Sequence, residues 1–176
     1  MKQLKLILAT MIVGLFFLSF MVDRKGSVVG LDTGNKAPVF QAALMDGTAF
    51  NLEDLKGKMI LLNFWASYDA QSRMNNYHLL DLLKHYEQKA FISGKELIVV
   101  SISLDRFKAP LKLAIEQDQT MRFRHICDFM GANSSISKMY NIEEPVNILI
   151  DGEGRIIIKD VKYSKIEKSL AYLSAI

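Results

Sequence analysis

Apolar runs of strand length alternate along this chain with segments in which apolar residues recur at helical spacing. Met59–Trp65 and Leu97–Leu104 are nearly continuous apolar runs, which are typical of strands buried on both faces of a sheet. Between them, the apolar positions of Asp69–Lys89 recur three and four residues apart, which predicts a long amphipathic helix. This alternation indicates an α/β domain in which helices pack against a sheet.

The segments on either side extend the same pattern. Asp46 and Gly47 form a strong turn signal, so a small hairpin should precede the first long strand, followed by a single helical turn over Asn51–Leu55. A second turn signal, Asp151-Gly152, predicts a hairpin near the C-terminus and therefore a mixed sheet. The remaining predicted elements are the helices Pro110–Gln117, Ser134–Tyr140 and Ile166–Leu173 and the strands Arg122–Cys127, Val146–Ile150 and Arg155–Lys159.

The first residues of the chain predict a membrane anchor. A nearly unbroken apolar run from Leu6 to Val22 follows Lys2 and Lys5 and ends at Asp23. Its length corresponds to about 25 Å of helix, at the short end of what crosses a bilayer. A retained anchor, a cleaved signal peptide and a buried helix are the alternatives. The run ends without a pair of small residues that a signal peptidase would cut, which favours the retained anchor.

These patterns divide the chain into three parts. Residues 1–22 are predicted as a transmembrane signal anchor, residues 23–36 as a glycine-containing tether, and residues 37–176 as one domain. The short basic start resembles an export signal, so we expect the domain on the extracytoplasmic, periplasmic side, with residues 6–22 in the membrane.

Charge and cysteine content narrow the chemistry. The formal net charge is only +3 and no long run of like charges occurs, which argues against a nucleic-acid partner. Cys127 is the only cysteine, so the chain can form neither an intramolecular disulfide nor a Cys-x-x-Cys pair nor a structural zinc site. Its position at the end of a predicted strand favours a structural role, and a reactive or intermolecular thiol is the alternative.

Other polar residues suggest little chemistry of their own. His78, Asp81 and His85 share one face of the predicted helix, but their spacing and the lack of a fourth ligand indicate a solvated face, so no metal site is predicted. Ser67 and Ser72 have no histidine nearby in sequence to activate a hydroxyl. Ser67 lies near the predicted helix start, where hydroxyls commonly cap.

The segment Leu62–Arg73 carries a family resemblance. It reads Leu-Asn-Phe-Trp-Ala-Ser-Tyr-Asp-Ala-Gln-Ser-Arg. This is similar to the Leu-x-Phe-Trp-Ala-Thr-Trp-Cys-x-x-Cys-Arg signature of membrane-anchored, extracytoplasmic thiol–disulfide oxidoreductases. These proteins form part of the thioredoxin-like superfamily, which also includes redoxin and alkyl hydroperoxide reductase relatives. Further similarity lies at Lys36–Phe40, Leu55–Lys58 and Tyr140–Pro145, so the resemblance covers the whole predicted domain.

The resemblance implies a thioredoxin-like fold with an altered active site. Asp69 and Ser72 stand where the family has its two redox cysteines, and Asn75 replaces a frequent acidic residue. Pro145 matches a proline that is cis in the family and faces the active site. The implied binding groove consists of Trp65, Tyr68, Asp69, Ser72, Glu144 and Pro145.

Three functional hypotheses follow from this altered site. The first is a redox-silent module that binds a protein partner through the groove and needs no cofactor. The second is an oxidoreductase of the cell envelope that uses Cys127 or a thiol of its partner. The third is a structural accessory of a cytochrome-assembly or redox complex. With one cysteine, the chain is not expected to be a competent dithiol oxidoreductase.

Overall fold

The structure is a computed structural model that describes residues 28–87, 89–160 and 162–174. These residues form seven strands, four α-helices and two 3₁₀ turns, the latter at Leu52–Leu55 and Gly131–Asn133. The strands are β1 (Gln41–Ala43), β2 (Ala49–Asn51), β3 (Met59–Trp65), β4 (Leu97–Ser103), β5 (Arg124–Ile126), β6 (Val146–Ile150) and β7 (Ile156–Asp160). The helices are α1 (Ala70–Tyr86), α2 (Lys108–Gln117), α3 (Ser135–Met139) and α4 (Tyr163–Leu173).

Five of the strands form one mixed sheet in the order β5-β4-β3-β6-β7. β3 pairs in parallel with β4, which pairs in parallel with β5. On the other side, β6 is antiparallel to β3 and β7 is antiparallel to β6. β1 and β2 form a separate hairpin. The predicted α/β architecture with a mixed sheet is therefore confirmed.

The alternation of side chains along β3 builds a hydrophobic core on each face of the sheet. Ile60, Leu62 and Phe64 point to one face, where they pack with the β1–β2 hairpin and Tyr140. Met59 and Leu61 point to the other face and pack against α1 and α4. All seven β3 residues are buried, which is the physical reason that the strand is apolar except at Asn63.

The folded unit begins earlier than the sequence predicted. Residues 28–36 lie against the β6–β7 turn, where Gly34 N donates to Ile156 O at 2.8 Å and Ala37 N donates to Gly154 O at 2.9 Å. Gly34 has a φ of +90°, a backbone conformation that glycine adopts readily and other residues rarely adopt. The predicted tether over 23–36 is therefore corrected at its C-terminal end, because residues 28–36 pack on the domain.

The predicted anchor, residues 1–22, lies outside the described residues. Among the helices that the structure does describe, none is both long enough and apolar enough to cross a bilayer.

Candidate binding cleft

Asp69 forms the N-terminal cap of helix α1. Its backbone is extended, and its Oδ1 accepts a hydrogen bond from Ser72 N at 2.6 Å. The carboxylate thus satisfies one of the free N–H groups of the first turn and lies at the positive end of the helix dipole. Ser67, which the sequence suggested as a capping hydroxyl, does not cap this helix.

Ser67 is held instead by Asp105, a buried carboxylate just after β4. Asp105 Oδ2 accepts from Ser67 N at 2.9 Å and from Ser103 Oγ at 2.7 Å, while its Oδ1 accepts from Ser67 Oγ. Asp105 is only 2% exposed, so these bonds compensate the removal of its charge from water. The contacts tie the connection between β3 and α1 to the end of β4. Nothing in the sequence indicated this clamp, because Asp105 lies 38 residues from Ser67.

A partly buried ion pair joins helices α1 and α2. Arg73 Nε donates to Asp118 Oδ2 at 3.1 Å and its Nη2 donates to Asp118 Oδ1 at 2.5 Å. Tyr77 adds a hydroxyl donor to Asp118 Oδ1 at 3.3 Å. The hydrogen bond with the buried carboxylate raises the pKa of Arg73. This fork fixes the orientation of α1 and therefore of its capped N-terminus.

A cleft of about 460 Å³ opens between the start of α1, the start of β6 and the start of α4. It brings together Asp69, Ser72 and Pro145, three of the predicted groove residues that are far apart in sequence. Asn75, which the resemblance placed in the altered active site, also lines the cleft. The other lining residues were not predicted for the groove: Asn63, Phe64, Gln71, His78, Val146, Asn147, Lys162, Tyr163 and Ser164. At the rim, the His78 ring stacks on Tyr163 with centroids 4.6 Å apart.

The other three predicted groove residues lie elsewhere. Trp65 is fully buried and packs against Leu111 and Ala114 of α2, so the structure corrects its assignment to the groove. Tyr68 is 76% exposed and stands outside the cleft lining. Glu144 is exposed and borders a neighbouring depression.

The Glu144–Pro145 peptide bond is trans, because the described residues contain no cis peptide bond. The cis bond that the resemblance implied is therefore wrong for this structure. Trans is the intrinsically favoured form of an X–Pro bond by about 0.5–1 kcal/mol, and a cis bond persists only where surrounding contacts oppose that preference. Glu144 is exposed and Pro145 is only partly buried, so few such contacts act here.

A row of polar residues crosses the sheet beneath the cleft. The register places His125, Ser101, Asn63, Asn147 and Asp160 side by side on the five strands. The first four of these side chains are buried. Such a row is unusual, because Ser103 is the one other buried polar residue on these five strands and the remaining buried residues are apolar.

Helix α1 adds polar groups above this row. Asn63 Nδ2 donates to Asn76 Oδ1 at 2.8 Å, and this is a buried contact. Within the described part of the chain, five atoms of the polar layer have no hydrogen-bond partner: Ser72 Oγ, Asn76 Nδ2, Ser101 Oγ, His125 Nδ1 and Asn147 Oδ1. The cleft therefore lies over a buried layer of neutral amides and hydroxyls, and its lining contains no thiol.

Cys127 lies outside the cleft, just after β5. Its Sγ approaches Asp105 O at 3.6 Å and accepts from Phe129 N at 3.4 Å. Partial burial raises the pKa of the Cys127 thiol, which disfavours the reactive thiolate. The structure thus gives this thiol neither a place in the cleft nor an activating environment.

His78, Asp81 and His85 do not converge. Across the described ranges, no group of three or more histidine, cysteine or acidic side chains could hold a metal ion.

The strand order and the flanking helices define a thioredoxin-like domain, and solved structures support this class. A thiol-disulfide oxidoreductase from Bacteroides fragilis superposes with a TM-score of 0.68 at 29% identity, covering 78% of this chain and 98% of that one. The thioredoxin domain of a thiol-disulfide oxidoreductase from Bacteroides vulgatus gives 0.67 at 27% identity, covering 80% and 99%.

Sequence comparison specifies the family. The Redoxin family matches residues 32–173, and the chain therefore belongs to it. The chain is 28% identical to the thioredoxin-like protein YneN of Bacillus subtilis over 95% of this chain and 92% of YneN. It is 26% identical to the thiol-disulfide oxidoreductase ResA of Bacillus cereus over 83% of this chain and 79% of ResA.

Proposed function

We propose that this protein is a redox-silent member of the Redoxin family that binds a protein partner through the cleft beside Asp69 and Ser72. The observation that carries the proposal is the combination of a retained cleft with a carboxylate and a hydroxyl at the two sulfur positions.

The missing chemistry follows from the reaction itself. In thiol–disulfide exchange a thiolate attacks a disulfide sulfur, forms a mixed disulfide and is released when a second thiol attacks. The Asp69 carboxylate is a cap for helix α1, and Ser72 Oγ is buried, so neither can replace a thiol in these steps. Cys127 is a single thiol whose pKa is raised by burial, which argues against the alternative of a Cys127-dependent oxidoreductase.

Several features of the cleft fit a protein partner. Its lining comes from four separate elements, β3, β6, α1 and α4, and contains both polar and apolar side chains. Tyr68 stands exposed next to the capped helix start, and exposed tyrosines are enriched at protein interfaces. No cofactor is part of this proposal, because partner binding through side-chain contacts needs none.

A membrane location completes the proposal, with residues 6–22 as the anchor and the domain on the periplasmic side. The described chain enters at the β6–β7 turn, where residue 34 pairs with residue 156. The cleft lies at the opposite end of the sheet, beside the carboxyl end of β3. The seven residues of β3 extend over about 23 Å, so an anchored domain would present its cleft away from the bilayer.

Insulin reduction by dithiothreitol tests redox silence on the full-length protein in detergent. We expect wild type to match the buffer blank, because a single thiol cannot complete the exchange cycle. The D69C/S72C variant restores two thiols at the helix start and should form a reversible disulfide and gain activity. Wild-type turnover above the blank, lost on Cys127→Ser, would instead establish the Cys127-dependent oxidoreductase.

Photocross-linking tests partner binding at the cleft. A benzoylphenylalanine in place of Gln71, an exposed residue of the cleft lining, should give a discrete protein adduct in native membranes. The same substitution at Tyr172 is the matched control, because this tyrosine is 83% exposed on α4 and lies outside the cleft. Adducts of equal yield at both positions, or none at either, would contradict cleft binding and favour a structural accessory that does not use the cleft.

A further inference from the structure

A second groove lies along the β5 edge of the sheet, away from the cleft described above. This β5-edge groove has a volume of about 640 Å³ and runs between β5, helix α2 and the turn that joins β1 to β2. Along α2, Lys108, Lys112 and Ile115 follow one another at four- and three-residue spacing, so they form a continuous stripe on the groove side of the helix.

The lining of the β5-edge groove is basic. Its four cations, Lys108, Lys112, Arg122 and Arg124, outnumber its two carboxylates, those of Asp46 and Glu116. Residues 28–176 are formally neutral as a whole, since the residues before them account for the chain's net charge of +3. The groove is therefore a local excess of positive charge on an otherwise balanced domain.

Much of this positive charge is unneutralised. The Lys112–Glu116 contact is long, at 3.9 Å, and both side chains are mostly exposed, so it contributes little. Arg122 pairs with Glu87. Lys108 and Arg124 have no ion pair within the part of the chain that the structure describes. An acidic ligand would thus gain attractive contacts without displacing strong internal pairs.

The same groove also offers apolar surface. Phe123 is buried, Met45 and Ile115 are partly buried, and Met121 is 65% exposed. Methionine side chains are flexible and polarisable, so they adapt to partner side chains of different shapes. Cationic and apolar groups side by side match a ligand that is itself acidic and amphipathic.

The backbone of β5 is not open for strand addition along its outer edge. Met45 N donates to His125 O at 2.8 Å, and Leu44 forms a bridge with Ile126. These contacts occupy two of the three residues of β5. Recognition in the β5-edge groove must therefore use side chains rather than main-chain pairing.

We propose that the β5-edge groove docks an acidic, amphipathic segment of a partner protein. A second copy fits less well, because a symmetric contact would bring two basic grooves together. A bilayer also fits less well, because the described chain enters beside β7, at the opposite edge of the sheet and about 19 Å across its four strand spacings. The groove is independent of the cleft, so either proposal can fail alone.

The test uses the full-length protein in phosphatidylcholine nanodiscs and two fluorescein-labelled 15-residue helical peptides. Both peptides carry leucine at the same i, i+3, i+4 and i+7 positions. The remaining positions are glutamate in one peptide and lysine in the other. We expect the glutamate peptide to bind, seen as a rise in fluorescence anisotropy above that with empty nanodiscs. Its affinity should fall as the salt concentration rises. Lys108→Glu with Lys112→Glu should lower its affinity about tenfold.

A matched pair of charge reversals, Lys95→Glu with Lys168→Glu, controls for net charge at exposed positions outside the groove and should change affinity less than about twofold. Met121→Asp, which keeps both lysines, should weaken the glutamate peptide too. Equal loss in the groove and control pairs, equal binding of the lysine peptide, or no binding at all would overturn the proposal. The proposal would also be overturned if neither peptide bound and the protein instead formed concentration-dependent dimers through the groove. The same holds if neither peptide bound and phosphatidylglycerol in the nanodiscs protected the groove.

Discussion

Removing the hydroxyl of Ser101 should make this protein more stable. Ser101 belongs to the polar row across the sheet, is fully buried, and its Oγ has no partner within the described residues. A buried hydroxyl without a hydrogen bond costs roughly 1–3 kcal/mol of folding free energy. Ser101→Ala removes that cost and leaves a gap of only one oxygen atom, so we expect the free energy of unfolding to rise by about 1 kcal/mol.

The neighbouring position supplies a contrast of opposite sign. Asn63 is the register partner of Ser101 on β3, but its Nδ2 donates to Asn76 Oδ1 at 2.8 Å. Asn63→Ala would leave that acceptor unpaired and open a cavity in the core. We therefore expect a loss of about 2–4 kcal/mol, which is large against a typical total of about 5–15 kcal/mol.

Trp65 makes both effects measurable. It is the only tryptophan and is fully buried, so its fluorescence should report unfolding directly. Urea titrations of the full-length protein in one detergent would give the midpoint and the slope for wild type and both variants. A lower midpoint for Ser101→Ala at an unchanged slope would refute the reasoning, since it would mean that the hydroxyl makes a stabilising hydrogen bond.

Three further results are expected. Burial lowers the pKa of His125, so the unfolded chain binds a proton there more readily than the folded protein, and stability should fall as the pH drops through about 6.5. The urea midpoint should therefore be lower at pH 5.5 than at pH 7.5, and the His125→Gln variant should lose most of this difference. Asp69→Ala removes the α1 cap and should cost about 1 kcal/mol, whereas Asp69→Asn should cost less; equal stability of all three would contradict the capping role. Because burial raises the pKa of the Cys127 thiol, iodoacetamide at pH 8 should label Cys127 more slowly in the folded protein than in the urea-unfolded chain. Equal rates would show that the thiol is exposed in the folded protein.

The predicted groove residues show which parts of the site follow from local sequence and which depend on the fold. Asp69, Ser72 and Pro145 were predicted as neighbours, and one cleft contains all three. Trp65 was predicted with them and is instead buried under α2. The motif shows that Trp65 ends a strand beside the site, but the face on which its ring packs depends on where α2 crosses the sheet.

Sequence alone determined the elements whose signal is local. β3 and β6 begin and end where their apolar runs do, because strands buried on both faces tolerate few polar residues. The helical spacing also located the start of α1, although Ser67 was expected to cap it and the structure gives that role to Asp69. The proposed redox silence rests on equally local information, because the resemblance aligns Asp69 and Ser72 with the two cysteines of the family signature.

Only the tertiary structure decided which distant polar groups meet. The clamp of Asp105 on Ser67, the Arg73–Asp118 fork and the polar row through Asn63 and Asn147 join residues 38, 45 and more positions apart. The β5-edge groove likewise exists because α2 and a hairpin turn converge on one strand. Such contacts depend on strand order and register. Hydrophobic periodicity does not determine either one, because it shows whether a residue is buried and not which residue it is buried against.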